Sequence, residues 1–274
     1  MTPVPPLVSV ITASFNAADF IEQTISSVLS QTFQNLEYII IDGGSIDGTV
    51  DIISKYEPGL VYWHSKPDHG ISHAFNLGLA QAHGDWIVYL NADDFFLETT
   101  VIEQMVPHLL RHKEADVVFG QLVSLTREKD AKPVPLCKIG GHPWSWQEFR
   151  KVNMIPHQAA FTHRHFFDRM GCFDESFHLA MDYELFLRAN GGLRAQFVPI
   201  PLVGMRAGGR CVKNIVSTLQ EFKRAQIKNR TLPRWISEVN FFLRLGRIYL
   251  GMMAHQVLDP FASKINWPGR KMPA

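Results

Sequence analysis

The stretch Ile71–Asp94, ISHAFNLGLAQAHGDWIVYLNADD, decides the fold. Its first part reads as a helix from about Ile71 to Ala82. Trp86 to Leu90 then forms an apolar run of strand length that ends abruptly on Asn91-Ala92-Asp93-Asp94. The same alternation extends toward the N-terminus. Val8 to Ala13 reads as a buried strand. Between Asp19 and Leu29, Ile21, Ile25, Val28 and Leu29 share one helical face, with Asp19 and Glu22 spaced as a capping box. Tyr38 to Ile41 is an apolar strand ending at Asp42, and a glycine-rich turn leads into a helix with Val50 and Ile53 inward. Val61–Trp63 completes the series as a short strand. Strand and helix in strict turn predict an α/β sheet with parallel crossovers.

Toward the C-terminus the alternation loosens. Ile102, Met105, Val106 and Leu109 share a helix face, and Asp116–Leu125 reads as a strand. Lys129–Pro143 reads as a loop. Two helical pieces, about His163–Met170 and Asp182–Ala189, precede a strand at Gln196–Val203. The remainder is helical, with Val239, Phe242, Leu243, Gly246, Leu250, Met253 and Val257 on one face bordered by Arg234, Arg244 and Arg247. These patterns divide the chain into a main domain over 1–230, with a nucleotide-binding half to about 100 and an acceptor half from 101, and a basic amphipathic tail over 231–274.

The 274 residues suffice for a real core, and 46% apolar with 19% charged residues excludes disordered and collagen-like classes. The first residues, Met1 to Pro6, lack the basic and apolar regions of a signal peptide, and no stretch has the length of a membrane span. Cys137, Cys172 and Cys211 are far apart and odd in number, which favours a reducing, cytoplasmic location over a disulfide framework. The net charge of +1 conceals an asymmetry: from Val203 onward there are 13 Lys/Arg and 3 Asp/Glu, a balance of +10. A basic tail on an acidic body suits an anionic membrane surface or a lipid-linked phosphate, and a solvated face without a partner is the alternative. No nucleic-acid-binding signature accompanies it.

In an open α/β sheet, ligands collect beyond the carboxyl ends of the strands. Here those ends carry polar groups repeatedly: Thr12 to Asn16, then Asp42, Asp68, and Asp93 with Asp94. Adjacent carboxylates repel unless a proton or cation intervenes, and their hard oxygens suit Mn²⁺ or Mg²⁺, which also binds nucleotide phosphates. The other reading of the pair is an N-cap for a following helix. Asp42 is placed to accept a hydrogen bond from a base or ribose, and Phe15 offers an apolar surface, unless the one is a turn residue and the other core. Gly43, Gly44 and Gly48 permit close backbone approach, though the pattern is neither GxGxxG nor a P-loop.

Four blocks carry a family resemblance: VSVITASFN, SQTFQNLEYIIIDGGSIDGT, KPDHGISHAFNLGLAQAHGDWIVYLNADD and HQAAFTHRHFFDRMGCFDESFHLAMDYELFLR. In order and spacing they resemble the family 2 glycosyltransferases of bacterial polysaccharide assembly, over roughly Val8 to Arg188. The resemblance implies a GT-A fold, a Rossmann-like, mostly parallel sheet flanked by helices, here with a C-terminal helical extension. It also implies an inverting, metal-dependent transfer from a nucleotide diphosphate sugar, UDP by default, to a glycan or lipid-linked acceptor. By position, Asp42 resembles the acid that reads the base, with Thr12, Ser14 and Phe15 near the nucleoside. Asp68 resembles a second nucleotide-binding Asp, Asp93 the metal-binding Asp of the DxD signature with Asp94 beside it, and Asp182 the general base, with Glu184 as neighbouring alternative. Asn91 departs from the signature's usual first Asp. Ser72-His73 stands where Tyr-Asp is frequent, and His157-Gln158 matches a block near the acceptor side. A nucleotide-sugar-binding protein without transfer, and a sugar-phosphate nucleotidyltransferase, are the competing readings.

Overall fold

A computed structural model describes residues 6–126 and 139–262. Strands and helices alternate through the first half: β1 (Val8–Ser14), α1 (Ile21–Leu29), β2 (Leu36–Asp42), α2 (Thr49–Lys55), β3 (Tyr62–Ser65), α3 (Ile71–Gln81) and β4 (Trp86–Tyr89). There follow β5 (Phe95–Phe96), α4 (Val101–Arg111), β6 (Val117–Leu125), β7 (Ile139–Gly140), α5 (Trp146–Phe149), β8 (Ala160–His163), α6 (Arg164–Met170) and α7 (Met181–Leu187). The chain continues through β9 (Ala195–Arg206), α8 (Arg210–Lys213), α9 (Ile215–Lys228) and α10 (Arg234–Ala262).

The strands form one sheet in the order β3-β2-β1-β4-β8-β6-β9-β5, with β7 paired to β6. β1 to β4 are parallel, as the alternation requires, because each helix returns the chain to the same edge. β8 then runs antiparallel between β4 and β6, so the second half is mixed. The sequence had no expectation of β8, a four-residue strand hidden in front of α6.

Side chains alternate across the sheet into two cores. Ile11, Ile39, Ile41, Ile87 and Tyr89 meet Phe75 and Leu79 of α3 on one face. Val10, Tyr38, Ile40, Trp86 and Val88 meet Ile21, Ile25 and Val28 of α1 and Ile102, Met105 and Leu109 of α4 on the other. Both faces being covered explains why these strands are apolar almost throughout. A Cβ on Gly78 of α3 would stand 2.4 Å from Ile11 Cγ2, so this helix seats directly on β1.

Two local expectations change. The Asp19/Glu22 capping box does not form: α1 starts after Phe20 without a side-chain cap, and Glu22 accepts a 3.1 Å bond from Tyr56 Oη instead. The C-terminal helix does dock, but by the face opposite its apolar stripe. Ser237 is buried, Lys223 of α9 bonds Glu238 at 2.9 Å, and Arg244 lies over the Phe222 ring of α9. Arg244 therefore belongs to the packed side. Val239, Phe242, Leu243 and Leu250 remain exposed, together with Trp235. The side chains of Met253 and Val257, Lys264, Arg270 and Lys271, and most of the expected loop at Lys129–Pro143 lie outside the described residues. No described helix is long and apolar enough to cross a membrane.

Candidate active site

The carboxyl ends of β1, β2 and β3 are tied together by one carboxylate. Asp42 Oδ1 accepts from Ser14 Oγ (2.7 Å) and Ser45 Oγ (2.6 Å). Its Oδ2 accepts from Ser65 Oγ (2.6 Å) and from the backbone N–H groups of Ser45 (2.8 Å) and Gly44 (3.1 Å). Burial alone would raise its pKa, but these donors outweigh it and hold the carboxyl below its usual range. Asp42 is thus fully buried beneath the cleft, with Ser14 as one of its donors. Thr12 lies deeper still: it is buried, and its hydroxyl is 3.0 Å from Tyr38 Oη inside the sheet.

The groups that reach the cleft surface at this end are Phe15 and Asp68. Phe15 is 65% exposed, so it is no core residue. A Cβ on Gly43 would stand 2.9 Å from Asp68 Oδ2 and 3.3 Å from Phe15 Cδ2, which places both side chains against the bare backbone of this glycine. Asp68 Oδ1 accepts the Gly70 N–H at 2.7 Å, fixing the turn into α3.

Beyond β4 the chain turns sharply at Asn91–Asp94, with Asp94 N bonded to Asn91 O at 3.0 Å. Thr24 of α1 holds this turn by donating to Ala92 O (2.9 Å) and Asp94 O (2.7 Å), and Arg206 Nη1 of β9 donates to Asp93 O (2.6 Å). Neither aspartate caps a helix, because β5 follows directly and α4 begins only at Val101. Asp94 is buried and its Oδ2 accepts from Asn91 Nδ2 (2.9 Å) and Gln158 Nε2 (3.1 Å). Burial, and then the adjacent Asp93 charge, push its pKa up to about 7. The carboxylate oxygens of Asp93 and Asp94 are hard donors of the kind that fit Mn²⁺ or Mg²⁺.

Asp182 sits in the first turn of α7 without capping it. Glu221 of α9 braces the backbone just before the helix, its Oε2 accepting the N–H groups of Leu179 (2.8 Å) and Ala180 (2.9 Å). Asp182 Oδ2 accepts instead from Asn153 Nδ2 at 2.9 Å and lies 3.5 Å from His157 Nδ1. The other ring nitrogen of His157 is 3.5 Å from Asn91 Oδ1. His157 and Asn91 therefore connect Asp182 to Asp94. Glu184 points elsewhere: it is buried and paired with Arg188 Nη2 (2.5 Å) and Lys228 Nζ (2.7 Å). Those cations overcome its burial and hold it below the usual range. The sequence offered His157 and Gln158 only weakly and gave no sign of Asn153 or Arg206, because their partners are remote in the chain.

Comparison with known proteins agrees with this architecture. The model of "Glycosyl transferase family 2" matches residues 9–170. An uncharacterized glycosyltransferase of Mycobacterium tuberculosis is 37% identical over 189 residues, covering 67% of this chain and 69% of the relative. A PGL/p-HBAD biosynthesis glycosyltransferase of Mycobacterium bovis is 26% identical over 216 residues, covering 77% and 81%. Among solved structures, the mannosyltransferase PcManGT from Pyrobaculum calidifontis, in complex with GDP-Man and Mn²⁺, superposes with a TM-score of 0.65 at 19% identity, over 97% of this chain and 77% of that one. With the family model matching more than half its length, this chain belongs to glycosyl transferase family 2, whose members move a sugar from a nucleotide-sugar donor.

Proposed function

We infer that this protein is an inverting transferase carrying a sugar from a nucleoside diphosphate sugar, a UDP sugar by default, to the hydroxyl of a glycan or lipid-linked acceptor in cell-surface polysaccharide assembly. The observation that carries it is the chain of contacts Asp182–His157–Asn91–Asp94, which joins a carboxylate suited to proton removal to one suited to cation binding. Phe15 and Asp68 take the nucleoside side over Gly43, and Asp42 with Ser14 anchors the floor beneath them. Asp93 and Asp94 hold the divalent cation. Bound Mn²⁺ or Mg²⁺ supplies positive charge where the departing diphosphate accumulates negative charge. Asp182 takes the acceptor hydroxyl's proton as that oxygen attacks the anomeric carbon and the bond to the diphosphate breaks on the opposite side. Asn153 and His157 orient Asp182 for that transfer. The bound GDP-Man and Mn²⁺ of the Pyrobaculum mannosyltransferase support the donor class.

The acceptor side is read from α10. Its exposed Trp235, Val239, Phe242, Leu243 and Leu250, flanked by exposed Arg234 and Arg247, suit the interface of an anionic membrane, where a lipid-linked acceptor resides. The protein then works in the cytoplasm, peripheral on the inner face of the membrane.

The test is a panel of nucleotide sugars assayed for Mn²⁺-dependent thermal stabilisation and then for turnover. Stabilisation with turnover supports transfer. Stabilisation without turnover on any lipid or glycan acceptor supports a binding protein, and turnover of a nucleoside triphosphate with a sugar phosphate supports a nucleotidyltransferase.

A further inference from the structure

We propose that His69, His73 and Glu175 form a second metal site, selective for Zn²⁺-class transition ions and separate from the aspartate pair. One ligand atom from each of the three side chains lies within 4.8 Å of the other two. The His69 and His73 rings stack with centroids 4.8 Å apart and planes 23° from parallel, so both imidazoles already share one side of the α3 entrance. Glu175 comes from the loop between α6 and α7 and is held there because its Oε1 accepts a 3.0 Å bond from Asn76 Nδ2.

The donor chemistry selects the ion. Two imidazoles and one carboxylate match the three-ligand sets of zinc sites, with water completing the tetrahedron, whereas Mn²⁺ and Mg²⁺ prefer oxygen. Bonds of ~2.0–2.2 Å to a tetrahedral ion need ligand atoms ~3.4 Å apart. Ligand atoms that lie within 4.8 Å of one another must therefore close by up to about 1.4 Å, which rotation of exposed and half-buried side chains permits. The 3.3 Å bond from the His69 N–H to His73 Nδ1 is long and gives way if that nitrogen becomes the ligand.

The position gives the site a purpose. Asn76 donates to Phe173 O (3.0 Å) and accepts from Phe173 N (2.9 Å), while Ser72 Oγ donates to Phe177 O (2.5 Å). Ser72 and His73, the residues that depart from the common family pattern, thus both face the loop that leads into α7. An ion on His69, His73 and Glu175 would add a third link across this seam. It would brace the Asp68–Gly70 turn on one side and the approach to Asp182 on the other.

Calorimetry and thermal melts of the full chain with ZnCl₂ alone test this. One Zn²⁺ per chain is expected, with Tm raised on the order of 5 °C at a hundredfold excess over Kd. His73→Ala and Glu175→Gln should melt like the parent without metal yet lose the Zn²⁺ shift, and Asp93→Ala should keep it. Any shift with MnCl₂ should be unaffected by His73→Ala and Glu175→Gln, because Mn²⁺ prefers the oxygen donors of the aspartate pair. A Zn²⁺ shift that survives in both His73→Ala and Glu175→Gln, an equal Mn²⁺ shift that both substitutions abolish, or no Zn²⁺ shift at all would overturn the assignment. Because none of these measurements involves a donor sugar, failure here leaves the transferase reading untouched, and the reverse holds as well.

Discussion

Arg206 Nη1 donates a 2.6 Å hydrogen bond to the backbone carbonyl of Asp93, joining the end of β9 to the turn after β4. Arg206 is 2% exposed, and its guanidinium lies over the rings of Phe20 and Phe95 and also bonds Gln23 of α1. A charged group is worth burying this way only where its donors meet fixed acceptors, and here they fix the backbone of the Asn91–Asp94 turn.

Replacing Arg206 with Met keeps the apolar stem and removes the donors. We expect a stability loss of roughly 2 kcal/mol in urea unfolding, the scale of hydrogen bonds to a buried charge. Mn²⁺-dependent nucleotide binding should weaken in parallel. Unchanged nucleotide affinity in a folded Arg206→Met protein would show that the turn holds its shape without this anchor.

Asp93→Ala should abolish Mn²⁺-dependent nucleotide binding while the thermal melt without ligand stays close to the parent, since the Arg206 bond to this turn is made to the backbone carbonyl, which the substitution keeps. Isothermal calorimetry decides the matter: equal affinity in mutant and parent removes Asp93 from the metal site.

Asp182→Asn keeps the size and the neighbours of the side chain but cannot accept the proton at neutral pH. Transfer should fall by about 10²–10⁴ with donor binding retained. Glu184→Gln should behave differently, losing stability through Arg188 and Lys228 without a comparable loss in turnover per folded molecule. The opposite outcome would move the base to Glu184.

Asp116 predicts an acid-sensitive step in stability. Its carboxylate accepts from Arg169 Nη1 (2.9 Å), Arg194 N (2.9 Å) and Arg194 Nη2 (3.1 Å), with His165 Nε2 at 3.0 Å. Burial works to raise its pKa, and these donors overcome that and lower it. A folded-state pKa below the unfolded value of about 3.9 means the stabilisation is complete above that pH and is lost as pH falls through the folded value. Asp116→Asn should cost roughly 2 kcal/mol at pH 7, the arginines being half exposed, and should flatten the decline in urea midpoint between pH 5 and pH 3. An equally steep decline in the mutant would assign the acid sensitivity to other carboxylates.

For α10, liposome co-sedimentation should require anionic lipid and weaken with added salt, as binding worth about 1 kcal/mol per nearby Lys or Arg implies. Phe242→Ser with Leu250→Ser should remove it without unfolding the protein, both side chains being exposed. Binding that ignores salt, or survives the double substitution, would leave the apolar stripe without a membrane role.

The sequence alone determined the sheet and the edge at which its aspartates gather. Continuous apolar runs such as Tyr38–Ile41 and Trp86–Leu90 can be satisfied only by burial on both faces, and alternation with helices of period 3.6 then forces parallel strands whose carboxyl ends gather Asp42, Asp68, Asp93 and Asp94. These are local signals, carried by residues adjacent in the chain. Tertiary structure decided how those groups are used. Asp42 became a buried knot because Ser14 and Ser65 arrive from neighbouring strands, and Thr12 turned to Tyr38 within the sheet. Arg206, which composition assigned to the basic tail, became the anchor of Asp93. Asp182 found His157 and Asn153, and α10 packed by its polar side while its apolar stripe stayed outside. Each of these outcomes depends on contacts across tens to more than a hundred residues, and side-chain pairing at that range leaves no periodicity for a sequence to display.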